Sequence, residues 1–523
     1  MNERFDMVAK TFQGLEEVLA GELRALGAED VTPGKRMVAF RGDLEMLYKA
    51  NMCCRTALRI LKPFYTFRAE SPDELYERIK EYDWSGLLSL GKTFSIDTVA
   101  FGEEFSHSRF VTYRVKDGIV DWFKDRYGSD HRPKVRLDGA DIMINVHIAG
   151  TCVTLSLDSS GESLHKRGYR RGQTEAPINE VLAAGIILMS GYRGDRPFVD
   201  PMCGSGTFVV EAALIAANIN PGVYRKHYAF ETWADFDAEL FERIYNDDSA
   251  ERIPEFPIIG ADISPRAIDI ATENVKGAGV ARYVELLTRP IARWEQAPAP
   301  AGVLITNPPY GERISAPDMN ALYNTIGKKL KHVFQGYSAW IIGYHDEYFH
   351  EIGLAPSQKV ALNNGGLDCE LREYLIFEGS KKDFRAAGGR IKDEARFAPR
   401  KAARKDFRQR ETSERGERSG ASRRPFGKDA RKPRPYGKTE ERREPARDRR
   451  TERSDRERTD RERTLRDREN LTPEERMELR HRPIDLSRLN RQPSIPADKE
   501  LVINRPVWRR RKAAGEKPGT ENE

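Results

Sequence analysis

The sequence is poor in the residues that build metal and disulfide frameworks. Its five cysteines, Cys53, Cys54, Cys152, Cys203 and Cys369, form no C-x-x-C pair, and its nine histidines add no ligand-spaced cluster to them. Neither a disulfide scaffold nor a bound metal is expected. Long apolar runs are missing too: no window approaches the roughly 20 residues needed to span a bilayer. The first ten residues, Met1 to Lys10, carry acidic side chains in place of an apolar leader. A cytoplasmic chain with no membrane partner is the expectation. What remains is a 523-residue chain, 39% hydrophobic, long enough to bury the cores of two or three domains.

A net charge of +6 conceals two opposite regions. Residues 1–380 hold 43 Lys and Arg against 54 Asp and Glu, a balance of −11, whereas residues 381–523 hold 45 against 28, a balance of +17. Runs such as "EERREPARDRRTERSDRERTDRERTLRDREN" offer almost nothing apolar to bury and cannot repay the entropy of folding, so a disordered basic tail is expected. Thr472-Pro473-Glu474-Glu475 is a local helix start, and Trp508 sits among arginines. Beside an acidic body, such a tail suits attraction to nucleic-acid phosphates, although a solubilising role is the simpler alternative.

Residues 1–65 alternate strand, helix, strand, helix as a small α+β unit, with "DLEMLYKANMCCRTALRIL" read as its second helix. Residues 66–160 continue with the strands "TFSIDTVAFG" and "DIMINVHIAGTCVTLSLD" around the helical "SRFVTYRVKDGIVDWFKDRYG". The polar stretch "HKRGYRRGQTEAPINE" marks a boundary, with a linker at 161–174. From 175 to 380, apolar strands alternate with helices at the spacing of a doubly wound, Rossmann-like α/β sheet. Ligands of such sheets lie beyond the carboxyl ends of the strands, where this sequence is least ordinary.

The first such place is "VDPMCGSGTFVVEAA". A strand, a glycine turn and a helix in that order put Gly204 and Gly206 where backbone approaches a ligand at a helix N-terminus. Position 209 is valine where a dinucleotide fingerprint wants a third small residue, and Asp200 is a poor neighbour for a pyrophosphate. A cationic nucleoside fits better, and S-adenosylmethionine carries both a sulfonium and an ammonium. Asp262, at the end of the next strand, can accept hydrogen bonds from both ribose hydroxyls. The second place is "LITNPPYGERI". An exocyclic amine on a base is a weak nucleophile, so a methyltransferase must hold its nitrogen near tetrahedral geometry. The Asn307 side-chain oxygen and the Pro308 carbonyl can accept the two amine hydrogens, Pro308 and Pro309 stiffen the loop, and Tyr310 offers a ring for an extruded base.

Residues 175–380 resemble a class I S-adenosylmethionine methyltransferase of the amino-methylating branch. "NPPYGER", "DPMCGSGTFVVEAALIAANINPG", "YAFETWADFD" and "HKRGYR" together are similar to the THUMP-domain guanine-N2 methyltransferases of large-subunit ribosomal RNA. That resemblance implies a ferredoxin-like unit at 1–65, an RNA-binding THUMP domain at 66–160, and RNA, ribosomal or in an assembly intermediate, as partner. It assigns cofactor binding to Asp200, Pro201, Cys203, Gly204, Ser205, Gly206, Thr207, Asp262 and Asn307, and the target base to Asn307–Tyr310. Two departures stand out. "LLTRPIARWEQ" lacks the acidic residue that relatives often place near the adenine, and a basic tail stands where some bacterial relatives carry a second methyltransferase domain, so no second activity is expected. A transfer-RNA guanine methyltransferase, a DNA adenine-amine methyltransferase and a non-enzymatic assembly factor remain the alternatives. Lys166, Arg167, Arg170 and Arg171, between the two halves, are the candidate phosphate contacts, against the plainer reading of a solvated linker.

Overall fold

The front half folds around one eight-stranded sheet. Strands β1 (Phe5–Lys10), β2 (Glu29–Gly34) and β3 (Met37–Gly42), with helices α1 (Glu16–Ala25) and α2 (Leu44–Cys53), form the first unit. The long strand β4 (Arg59–Arg68) then carries the chain into the second. That unit contains α3 (Pro72–Glu81), β5 (Thr93–Phe101), α4 (Ser108–Tyr127), β6 (Lys134–Val135), β7 (Ile142–Ala149) and β8 (Cys152–Asp158). The order β2-β3-β1-β4-β8-β7-β5-β6 makes the sheet continuous. Its joint is β4, whose first residues pair with β1 (Ala9 opposite Ile60) while the rest pairs with β8 (Phe67 opposite Val153).

The helix expected to run to Leu61 stops at Cys53. Cys54 turns to an extended conformation, and the amides of Arg55 and Thr56 donate to the Glu22 carboxylate of α1 at 2.8 and 3.0 Å. A carboxylate that collects two successive amides holds them out of the helical ladder, and Ile60 is then free to enter the sheet. Sequence periodicity also passes over α3, where Ser71 caps the Glu74 amide and Pro72 opens the first turn.

The second half is a seven-stranded sheet between helices. Its elements are α5 (Glu180–Met189), β9 (Phe198–Asp200), α6 (Thr207–Ala216), α7 (Ala238–Asn246), β10 (Ile258–Asp262), α8 (Pro265–Gly277), β11 (Val284–Thr288), β12 (Gly302–Thr306), α9 (Met319–His332), β13 (Tyr337–Gly343), α10 (Asp346–Glu351), β14 (Gln358–Asn364) and β15 (Leu367–Leu375). The strands lie in the order β11-β10-β9-β12-β13-β15-β14, the first five parallel, with β15 alone reversed between β13 and β14. From β9 the chain winds outward through β10 and β11, then returns to lay β12 on the other side of β9. The switch point between β9 and β12 opens a crevice at their carboxyl ends.

These elements come from a computed structural model that describes residues 3–309, 318–344, 346–364, 367–377 and 379. The described residues belong to one compact unit. The basic tail lies outside them. Among them no helix is long and apolar enough to cross a membrane, and no group of three or more His, Cys, Asp or Glu is placed to hold a metal.

Aromatic packing joins the halves. Phe230 lies 4.5 Å from Tyr48 of α2, ring centre to ring centre, Phe241 closes on the same ring at 5.5 Å, and the Asp237 amide donates to the Tyr48 hydroxyl at 2.9 Å. The insertion "YAFETWADFD" thus buries its rings against the first unit, a contact that orients the front sheet over the crevice.

Candidate active site

The crevice widens into a cleft of about 2150 Å³, floored by the carboxyl ends of β9, β10 and β12 and walled by residues of β5, the 137–140 segment and the 161–177 connection. A small-molecule site commonly occupies roughly 300–1,000 Å³. There is room here for a nucleoside cofactor and an extruded nucleotide together.

The glycine turn forms one side of the floor. Gly204 and Gly206 take left-handed conformations, φ +53° and +79°. A Cβ on Gly204 would meet only the Thr174 hydroxyl, 3.6 Å away, so the turn faces open space. Helices α2, α3, α5, α7, α8 and α9 start with a side chain accepting their first amides, whereas α6, like α1 and α4, has no side-chain cap, and of these three it alone starts from the glycine turn in the cleft. Its N-terminal amides are therefore available to a ligand. Asp262 fixes the turn from β10: one carboxylate oxygen accepts the Gly204 amide at 2.9 Å and the other the Ser264 amide at 2.9 Å. Two amides orient the carboxylate and leave further lone pairs directed into the cleft.

Asp200 is buried beneath the turn, 1% exposed. Burial pushes its carboxyl up to about 7, with nearby Asp262 adding to the rise, against the Thr306 hydroxyl and the Met202 amide, which donate to it at 2.8 and 3.2 Å. The Thr306 bond crosses the switch point. It ties the strand before the glycine turn to the residue just before Asn307. Asn307, Pro308 and Pro309 line the same cleft, and Tyr310 lies outside the described residues. Burial also pushes the Cys203 thiol well above its ordinary range, so it stays protonated and is no nucleophile.

The connection "HKRGYRRG" is neither a solvated linker nor a row of free cations. Arg167 is 2% exposed, 3.5 Å from buried Glu211, and donates to the carbonyls of Leu164 and Arg55. Arg170 spreads over three partners: Nε to Glu180 at 2.7 Å, and its terminal nitrogens to the hydroxyls of Ser205 at 3.1 Å and Thr207 at 3.0 Å. These two guanidiniums support the fold and the glycine turn, which corrects their assignment as phosphate contacts. Arg171 and Lys166 remain exposed, the latter paired with Glu162 at 2.9 Å.

Sequence reasoning missed Asn274. Buried on α8, it donates to the carbonyls of Gly172 and Ser205, both at 2.9 Å, and accepts the amides of Arg171 and Gly172. One amide side chain clamps the connection to the glycine turn. Nothing in its local sequence separates it from an ordinary helix asparagine. Ile263, Pro290 and Ala292 line the cleft beside Asp262 and were likewise not singled out.

Comparison with known proteins fits this geometry. Residues 6–61 match the RlmL ferredoxin-like domain, 69–158 the THUMP domain, and 167–373 the RMKL-like methyltransferase domain. The Synechocystis sp. protein slr0064, whose name describes it as a candidate RNA methyltransferase, is 38% identical over 372 residues, 71% of this chain and 96% of that one. The chain belongs to the RMKL-like methyltransferase family. Ribosomal RNA large subunit methyltransferase K/L of Syntrophotalea carbinolica is 38% identical over 379 residues, 70% of this chain, and the chain spans about half, 53%, of that relative. Among solved structures, SMU.472 in complex with SAH superposes with a TM-score of 0.64 at 32% identity, over 73% of this chain and 100% of that one. A candidate methylase from Clostridium difficile 630 gives 0.66 at 33%, over 72% and 100%.

This RMKL-like family uses S-adenosylmethionine, and the residues present fit it. Uncapped amides of α6, the open face of Gly204, the oriented Asp262 carboxylate and an apolar wall are what a cationic nucleoside requires.

Proposed function

We propose that this chain transfers a methyl group from S-adenosylmethionine to the exocyclic 2-amino group of a guanine in RNA, with large-subunit ribosomal RNA as substrate. The observation that carries this reading is the meeting of two loops across one switch point. The glycine turn after β9 and Asn307–Pro309 after β12 open into one cleft, and Thr306 is hydrogen-bonded to Asp200 between them. The choice of ribosomal RNA draws on the name of the Syntrophotalea relative and on the THUMP domain. The choice of the 2-amino group draws on the resemblance of "NPPYGER" and its companion motifs to guanine-N2 enzymes.

The bound cofactor supplies an electrophilic methyl whose leaving group departs as a neutral thioether. Asp262 would hold the ribose, and the apolar side chains of Ile263 and Pro290, which line the cleft beside it, would flank the adenine ring. The Asn307 oxygen and the Pro308 carbonyl accept the two amine hydrogens and aim the nitrogen lone pair at the methyl. No strong base is required, because the amine proton becomes acidic only as the new bond forms and then passes to solvent water in the open cleft.

Transfer of labelled methyl from S-adenosylmethionine into RNA from cells lacking the protein tests this reading. Asn307→Ala is expected to lower turnover on the order of a hundredfold or more while leaving cofactor affinity nearly unchanged. Near-normal turnover by the variant would refute the role of Asn307. A methyl group found on adenine would refute the assignment of the base.

A further inference from the structure

If Arg167 and Arg170 are structural, the RNA strand needs another hold on the body. The segment following α4 supplies one. Along that helix, after the exposed Arg109 of its first turn, Arg114, Lys116, Lys124 and Arg126 each face a carboxylate, at distances up to 4.0 Å. Beyond its end the pattern breaks. Arg132, Lys134 and Arg136 are all exposed, and among the described residues none of their side chains has a hydrogen bond, ion pair or ring partner.

In a body with a charge balance of −11, three such cations within five residues make a local positive patch. The backbone presents them. β6 is the outermost strand of the front sheet, held in parallel register to β5 (Thr93 opposite Lys134) and by the Arg136 amide donating to the Phe94 carbonyl at 2.9 Å. Alternation puts Lys134 and Arg136 on one side, about 6.6 Å apart at the rise of an extended strand. Val135 falls on the other, and Leu137 follows in the bend after the strand. Leu137 is 84% exposed, an apolar surface on which a base or ribose can rest.

The segment also leads to the site. Leu137, Asp138, Gly139 and Ala140 line the cleft that holds the glycine turn and Asn307–Pro309, and Arg266, exposed at the start of α8 and without a side-chain partner among the described residues, lines it from the methyltransferase side. We infer that Arg132, Lys134 and Arg136 form the phosphate track along which a single-stranded RNA segment enters the cleft, with Leu137 at the turn inward and Arg266 opposite. This inference rests on the proposed function and names the surface that serves it. Phosphate contacts position the strand, and the choice of base is left to Asn307 and Pro308.

The test uses the full chain with Arg132→Gln, Lys134→Gln and Arg136→Gln combined. The control triple Lys35→Gln, Lys328→Gln and Lys331→Gln removes the same charge from exposed sites elsewhere. Binding of a labelled single-stranded oligoribonucleotide is followed against salt. The track variant should lose about two units of the slope of log affinity against log salt, three contacts at roughly 0.7 each, and bind about tenfold or more weaker at low salt. Its kcat/KM on RNA should fall with kcat unchanged, while S-adenosylhomocysteine affinity and unfolding temperature stay at wild-type values. A wild-type slope in the track variant, or an equal loss in the control triple, would overturn the track even if the wild-type chain methylates RNA. A wild-type chain that methylates no RNA would overturn the proposed function and the track together.

Discussion

Asp200 gives the account a consequence that can be measured without any RNA. Its carboxyl is buried, and burial outweighs the donors Thr306 and Met202, so that it titrates at about 7 instead of 3.8. Three units correspond to about 4 kcal/mol at most of destabilised negative charge. The cofactor and its product both carry an ammonium group. If that cation settles over Asp200, it favours the ionised form and the proton must leave as the ligand binds. At about pH 6 only roughly one carboxyl in ten is ionised, so S-adenosylhomocysteine should bind about tenfold weaker there than on the plateau above pH 8. Calorimetric titrations in two buffers of different ionisation heat should report nearly one proton released per ligand at the acid end and almost none at the alkaline end. The fold itself responds with the opposite sense. A carboxyl raised from 3.8 to about 7 contributes stability that is fully present below 3.8 and lost as pH rises through 7. The ligand-free protein should therefore lose this contribution between about pH 4 and pH 7 and be flat above that, and Asp200→Asn should remove both pH dependences. Flat ligand affinity between about pH 6 and pH 8, with no proton release in the wild-type chain, would refute the placement of Asp200 beneath the cation.

The two carboxylate and guanidinium supports of the glycine turn give sharper structural tests. Asp262→Ala should raise the dissociation constant of the cofactor roughly ten- to a hundredfold, the loss of one charged hydrogen-bonding partner, and unchanged binding by calorimetry would place the ribose elsewhere. Arg170→Ala leaves the buried Glu180 carboxylate without its partner and should lower unfolding free energy by about 3 kcal/mol, with weaker cofactor binding because Ser205 and Thr207 lose their donor. A variant that keeps stability and cofactor affinity but flattens the salt dependence of RNA binding would return Arg170 to phosphate contact.

The catalytic sheet was legible because its landmarks are local. The strand carrying Asp262, the Ser264-Pro265 helix start and the apolar strand before Asn307 each announce themselves within a few residues, and a glycine turn followed by a buried helix is a short-range pattern. The front half was less so, since β4 exists as a strand only because β1 and β8 sit on either side of it and Glu22 stops the preceding helix. The cations of "HKRGYRRG" show the same limit: charge in sequence reads as surface, but Glu211 and Glu180 lie 44 and 10 residues from the arginines they bind, and only the fold brings them together. Asn274 and the unpaired run at Arg132–Arg136 were invisible for the converse reason. Their meaning depends on which partners are present or absent in space.

The proposed reaction is methylation of a guanine amine of RNA in this cleft. The most direct test is to digest RNA after transfer of labelled methyl from S-adenosylmethionine by the wild-type chain and by Asn307→Ala, then to identify the labelled nucleoside and the RNA that carries it. Label is expected as N2-methylguanosine in large-subunit ribosomal RNA with the wild-type chain, and to be lost with the variant. Label on another atom or in transfer RNA, or full labelling by Asn307→Ala, would contradict that expectation.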